Sequence, residues 1–83
     1  MTTTARTVSD IAEVIREIDG DNAMPASRLG REIAWHARAP KTLARVLAVD
    51  VAAFVERTNA DKALPPARLA ELLVAEFDLD KEQ

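Results

Sequence analysis

Apolar residues recur at helical spacing in four stretches of this chain. Side chains three or four positions apart lie on one face of a helix, so each stretch can bury one apolar stripe. The pattern predicts an all-α fold with no sheet. We place the four helices at about residues 8–18, 26–37, 41–58 and 66–77.

The third predicted helix has the least polar surface of the four. Leu43, Leu47, Val51 and Phe54 form its main stripe, and most of its other positions are also apolar. A helix that is apolar nearly all round is typical of the centre of a domain. We therefore expect helices packed around residues 41–58 in a single domain. Its bounds are predicted at residues 7–78, between a disordered tail at residues 1–6 and a frayed tail at residues 79–83.

The loops before the second and fourth helices share a sequence pattern. Residues 21–33 read DNAMPASRLGREI and residues 61–73 read DKALPPARLAELL, aligned without a gap at an offset of 40 residues. Each copy ends its polar loop with a proline, which suits the first turn of a helix. An internal repeat of this kind predicts two tandem helix-loop-helix units, at residues 8–37 and 41–77.

The first loop has part of the pattern of a calcium-binding loop. Glu17, Asp19 and Asp21 alternate as such ligands do, but Asn22 replaces the turn glycine and Arg28 replaces the closing carboxylate. The second loop departs further, with Arg57, Asn59, Lys62 and Arg68 at the corresponding positions. Two architectures stay open: a metal-free pairing of hand-like loops, and a plain repeat of helical hairpins.

The composition offers little material for catalysis. The chain has no Cys or Tyr, one His and two Ser, so it has no disulfide framework, and no spacing signals a nucleophile beside a base. No glycine-rich phosphate loop is present. The longest apolar run, residues 51–55, is far too short to cross a bilayer. We expect a non-enzymatic cytoplasmic protein with no cofactor, no metal and no membrane contact.

Two polar residues fall on apolar helix faces. His36 lies near the Leu29 and Ile33 stripe of helix 2, which predicts a buried or half-buried histidine in the core. Asp50 falls within the apolar arc of helix 3, where an ionised carboxylate needs a partner. Arg57 or a basic residue of helix 2 could supply it, so we expect a structural ion pair or a water-exposed notch at Asp50.

Charge is distributed unevenly along the chain. The net charge is -3, but residues 28–45 carry five cations and a single carboxylate, Glu32, whereas residues 1–27 and 46–83 are both acidic. We call residues 28–45 the basic island. Its cations are Arg28, Arg31, Arg38, Lys41 and Arg45.

The only tryptophan lies in the basic island. In helical projection Trp35 falls between Arg28 and Arg31, on the face opposite the apolar stripe. Trp and Arg are enriched among residues that dominate protein interfaces, and their side chains can stack on each other. We predict a partner-binding surface made of Trp35 and the five cations, with a protein partner or a second copy of the chain. The alternative is that helix 3 or the N-terminal tail covers Trp35.

A DNA-binding interpretation also stays open. Helix 2, a short turn at residues 38–40 and helix 3 resemble a helix-turn-helix, which would put Lys41 and Arg45 at the start of the recognition helix. Against it, Arg38 stands where the turn glycine is usual, helix 3 is very apolar for a groove reader, and the chain is acidic overall. A protein partner is the preferred interpretation.

The run VIREIDGDNAMPASRLGREIA, residues 14–34, resembles a loose motif of small accessory proteins of bacteriophages that infect actinobacteria. The second copy matches it less well, departing at Ala60 and Lys62. The resemblance implies a phage or actinobacterial setting, the host cytoplasm if the chain is phage-encoded, and a non-enzymatic role. It supplies no site residues.

The loop sequences generate a test of metal binding. We expect millimolar calcium to leave the melting temperature unchanged, because Arg28 and Arg68 stand where a closing carboxylate is required. A ligand that binds only the native state would raise that temperature. A clear upward shift in a thermal melt with calcium, relative to one with a chelator, would contradict our interpretation of both loops.

Overall fold

The structure, a computed structural model, describes residues 3–81, and these residues form helices without any strand. The predicted all-α fold with four α-helices is confirmed. A short 3-10 helix, Lys41–Arg45, lies between the second and third. The α-helices are α1 (Thr3–Ile18), α2 (Ala26–Trp35), α3 (Ala48–Thr58) and α4 (Pro66–Phe77).

Helix α1 begins at Thr3, so residues 3–6 are helical where a disordered tail was predicted. The Thr4 hydroxyl donates a hydrogen bond to the carboxylate of Asp80 near the other end of the described chain. Thr7 is buried, and Val8 packs against the core. These contacts with the C-terminal part of the chain extend the helix beyond what its own sequence predicts. Residues 1–2 of the predicted tail lie outside the described residues.

The predicted C-terminal tail is also partly wrong. Helix α4 ends at Phe77 as predicted, but Leu79 is 1% exposed and belongs to the core. Asp78 turns the chain with a left-handed backbone, φ 52°, which brings the Leu79 N–H to the Val74 carbonyl at 3.2 Å. The Leu79 carbonyl then accepts a 2.6 Å hydrogen bond from the Thr42 hydroxyl. Residues 82–83 lie outside the described part of the chain.

The single long helix predicted at residues 41–58 is wrong. Val46 and Leu47 have extended backbone, with ψ of 136° and 135°, and they separate the 3-10 helix from α3. The break lets Leu43 enter the core completely while Leu47 is left exposed. No glycine or proline marks the break, so burial of Leu43 rather than local propensity accounts for it. Helix α3 also exposes Val49, so it buries one face and is not a fully enclosed central helix.

The helices pack in two pairs, α1 with α4 and α2 with α3. Contacts within each predicted unit, α1 with α2 and α3 with α4, are fewer. Two self-contained hairpins would show the reverse, so this packing does not confirm the predicted arrangement of two tandem helix-loop-helix repeats. The largest completely buried apolar side chains come from all four helices, the 3-10 helix and the C-terminal turn: Ile11, Leu29, Ile33, Leu43, Val51, Val55, Leu69, Leu73 and Leu79.

The α2–α3 pair depends on one glycine. A Cβ atom on Gly30 would lie 2.5 Å from the Ala52 Cα and 2.9 Å from both the Ala52 nitrogen and the Val51 carbonyl oxygen. These atoms belong to the backbone, so rotation of a side chain cannot relieve the contact. Gly30 therefore sets how closely α2 and α3 approach each other.

We expect Gly30→Ala to lower the free energy of unfolding by about 1–3 kcal/mol, as overpacking of a core does. Helix propensity alone would make the alanine variant more stable by about 1 kcal/mol. A loss of stability therefore shows that the steric contact outweighs the gain in helix propensity. Urea denaturation measures it. Equal or higher stability of the variant would show that α2 and α3 are not held this close.

Candidate functional site

Trp35 is the most exposed large apolar side chain among the described residues. It is the last residue of α2, and 68% of its surface is open to solvent. The alternative in which another segment covers Trp35 is therefore not what the structure contains. Among residues 3–81 no cation stacks on the indole ring, and the cation–π contact found there is Arg57 over Phe54 at 5.5 Å.

All five cations of the basic island are exposed. Arg38 donates a 2.9 Å hydrogen bond to Glu17 on α1, and His36, half-buried as predicted, lies 3.7 Å from the same carboxylate. The His36 Nδ1 atom accepts the Arg38 backbone N–H at 3.1 Å. Within residues 3–81 the remaining four cations form no ion pair: Arg28, Arg31, Lys41 and Arg45.

The six predicted site residues do not all lie on helix 2 and the start of helix 3, where the sequence predicted them. Lys41 and Arg45 lie on the short 3-10 helix, because α3 begins only at Ala48. The first turn of α3 carries an exposed acidic residue, Asp50, instead of the predicted cations. Of the two outcomes predicted for Asp50, the structure contains the water-exposed one, and Asp50 has no ion-pair partner within residues 3–81. A carboxylate in the first turn of a helix is also favoured by the helix dipole.

Sequence reasoning missed two apolar residues beside this region. Leu47 is 66% exposed and Val49 is 64% exposed, whereas the periodicity put Leu47 in the core stripe. Both lie at the junction of the extended segment with α3. Trp35, Leu47 and Val49 are the three most exposed large apolar side chains of the described residues. Trp35 precedes the segment between α2 and α3, and the other two lie where that segment ends. We call this region, Trp35 to Val49, the connection surface.

A second cluster lies where the two loops meet. Asn22 and Lys62, which are equivalent in the repeat, both have left-handed backbone, with φ of 57° and 58°. Asp19 and its equivalent Asn59 are both buried. In each loop the side-chain oxygen accepts a hydrogen bond from the backbone N–H five residues later. The Met24 N–H donates to Asp19 at 2.9 Å, and the Leu64 N–H donates to Asn59 at 3.0 Å. The two loops therefore share their hydrogen-bonding pattern.

The Lys62 side chain crosses from the second loop into the first. Its ammonium donates a 2.7 Å hydrogen bond to Asp19 Oδ2, and it also donates to the carbonyl oxygens of Met24 and, at 3.4 Å, Asn22. An ammonium has three N–H donors, and three oxygens receive them. Asn22 Nδ2 donates in return to the Lys62 carbonyl at 3.0 Å. The loops are thus paired side by side.

The pair formed by Asp19 and Lys62 is well buried. The side chain of Lys62 is 13% exposed and that of Asp19 is 2% exposed. Left-handed backbone costs about 1–2 kcal/mol for a residue other than glycine, and Lys is not among the residues that favour it. The contacts of its ammonium offset that cost. The sequence signal was the alignment of Lys62 with Asn22, at the position where calcium-binding loops require glycine.

Residues 3–81 contain no group of three or more His, Cys, Asp or Glu side chains placed to hold a metal ion. Over the same residues, every helix is too short or too polar to cross a membrane. A comparison of the chain with protein-family models, curated proteins and solved structures finds no match. The interpretation of both clusters therefore depends on their own chemistry.

A double-mutant cycle tests the buried pair. We expect Lys62→Met to cost about 3 kcal/mol of unfolding free energy, because it leaves the Asp19 carboxylate buried without its cation. Asp19→Asn keeps the hydrogen bond to Met24, as Asn59 does in the second loop. The double variant should be less destabilised than the sum of the singles by about 1 kcal/mol or more.

The matched control is the exposed pair of Arg68 and Glu71, whose atoms lie 3.3 Å apart on α4. A cycle on such a surface pair should give a coupling below about 0.5 kcal/mol. Urea denaturation measures both cycles. Equal couplings would mean that Lys62 contributes no more than a solvated surface charge.

Proposed function

We propose that the protein is a small non-enzymatic binding module that docks a protein partner through the connection surface. The observation that carries this proposal is the exposure of Trp35 at the end of α2, a helix whose Arg28 and Arg31 form no ion pair within residues 3–81. An exposed tryptophan contributes nothing to its own core, yet it provides a large rigid anchor for a partner. A phage or actinobacterial accessory role is part of the same proposal and rests on the loop motif alone.

Charge supports a partner of complementary chemistry. Residues 33–49 contain Arg38, Lys41 and Arg45 but no Asp or Glu. Only Arg38 of these has an ion-pair partner among the described residues. We propose an acidic protein segment that carries an apolar side chain for contact with Trp35, Leu47 or Val49. The cations would then orient the segment and raise its rate of association, while the apolar contact supplies most of the affinity.

Double-stranded DNA is the second candidate, because the same cations could contact phosphates. A recognition helix of a helix-turn-helix protein presents its first turn to the major groove. Here that turn belongs to α3 and carries Asp50, while Lys41 and Arg45 precede the helix. This arrangement favours the protein partner, so DNA becomes an outcome of the test rather than the proposal.

We expect Trp35→Ala to weaken partner binding by about 30-fold or more, as truncation of a central interface anchor does. Its effect on stability should be within about 0.5 kcal/mol because the side chain is exposed. The test begins with affinity capture from an actinobacterial lysate using wild type and Trp35→Ala. Calorimetry with the captured protein then gives both affinities.

Arg45→Ala and Arg68→Ala are the matched pair of charge variants. Both arginines are exposed, but Arg68 lies on α4, outside the connection surface. Arg45→Ala should weaken binding modestly and reduce its salt dependence, whereas Arg68→Ala should do neither. Equal affinity of Trp35→Ala and wild type for the captured protein would overturn the proposal.

Binding to random duplex DNA tests the alternative interpretation. Four or five phosphate contacts would give a log–log slope of about -4 for affinity against salt, because each neutralised phosphate releases condensed counterion. We expect no gel shift with submicromolar protein at physiological salt, since acidic segments flank the basic island. A shift with that slope, little changed by Trp35→Ala, would favour the DNA interpretation.

A further inference from the structure

The first loop directs oxygen atoms from three residues at one point. They are the Asp19 Oδ2 atom and the backbone carbonyl oxygens of Asn22 and Met24, and Lys62 Nζ occupies the point they surround. A carboxylate and two carbonyl oxygens bind cations and cannot donate a proton to an acceptor. The chemistry of this point is therefore that of a cation-binding site.

We propose that the first loop is a cation site whose resident ligand is the primary ammonium of the chain's own Lys62. The second loop supplies the cation in place of a free ion from solution. One carboxylate with two carbonyl oxygens matches the three donors of an ammonium, whereas calcium takes six to eight oxygens. The ligand class is thus a monovalent primary ammonium. This proposal is independent of partner binding at the connection surface.

Backbone conformation supports a specific role for the side chain. Lys62 keeps a left-handed backbone, φ 58°, although Asn22 shows that asparagine fits the equivalent position of the other loop. An asparagine at position 62 would fit the turn but would not reach the three oxygens. Lysine is thus less suited than asparagine to the left-handed backbone at position 62, but its side chain is long enough to enter the first loop.

A cavity beside the site gives access from solvent. It has a volume of about 290 Å³ and is lined by both members of the pair, Asp19 and Lys62, and by parts of both loops. A small cation could reach the oxygens through it once the lysine side chain was removed. The site is therefore open to chemical rescue, in which a free amine replaces a missing side chain.

Lys62→Gly is the variant that vacates the site. Glycine tolerates φ 58° without strain, so the turn should form even though the ammonium is lost. Lys62→Asn is the second vacating variant, because Asn22 already adopts the same backbone at the equivalent position. If one variant fails to fold, the other keeps the test intact.

The experiment measures melting temperature in 0.5 M methylammonium chloride and in 0.5 M tetramethylammonium chloride. The second ion has no N–H donor and is too bulky for the site, so the comparison removes general effects of ionic strength. We expect methylammonium to raise the melting temperature of both vacated variants by about 5 °C relative to tetramethylammonium, as a ligand with a Kd of about 50 mM would. Wild type should melt at the same temperature in both salts.

Two further variants test the location. Lys62→Met keeps the stem as far as the Cε position and ends in a methyl group one atom short of the ammonium. That methyl group leaves too little room for methylammonium, so the variant should show no rescue. Asp19→Asn combined with Lys62→Gly removes the carboxylate and should lose most of the rescue. Folded vacated variants without a difference between the two salts would overturn the proposal. So would rescue by millimolar calcium in place of methylammonium, which would identify a divalent metal site instead.

Discussion

The ammonium of Lys62 joins the two loops from which all four helices extend. Each loop ends one helix and begins the next, so fixing one loop against the other also fixes α1 and α2 relative to α3 and α4. The contact is buried, and its acceptors are two backbone carbonyls as well as a carboxylate. The link between the two loops is thus supplied by a side chain of the protein itself.

The pairing of the two loops explains why each helix packs mainly against a helix that is not joined to it by either loop. With the loops side by side, α1 lies against α4 and α2 against α3, so each unit covers the apolar face of the other. Small residues stand at equivalent positions of the two pairs, Gly30 and Ala52 in one and Ala70 and Ala12 in the other. Neither unit could bury its stripe alone, because a short chain has little other apolar surface to offer.

Most of the core and the proposed binding surface lie in different parts of the chain. The aligned segments at residues 21–33 and 61–73 supply the paired loops and part of the core, while the connection surface, Trp35 to Val49, lies between them in the chain. The three exposed large apolar side chains among the described residues lie in this surface, together with two cations that form no ion pair there, Lys41 and Arg45. Substitutions at the exposed positions of the proposed surface should therefore cost the core little. Leu43 is the exception, since it is fully buried.

The sequence by itself determined what depends on local spacing. Helix α4 has its predicted bounds, and the ends of α1 and α2 fall at or near the predicted positions, because periodicity and proline positions act within a few residues. The repeat also aligned Lys62 with Asn22. The exposure of the five predicted cations follows from the same pattern, since charged side chains avoid the apolar stripe.

Only the tertiary structure decided features that depend on residues far apart in the chain. Burial of Leu79 and the hydrogen bond from Thr4 to Asp80 require the two ends to meet. The break at Val46 follows from burial of Leu43 and has no local signal. A helical projection gives the direction of Trp35 but not whether another segment covers it. The contact of Lys62 with Asp19 spans 43 residues, and its existence depends on how two loops pack.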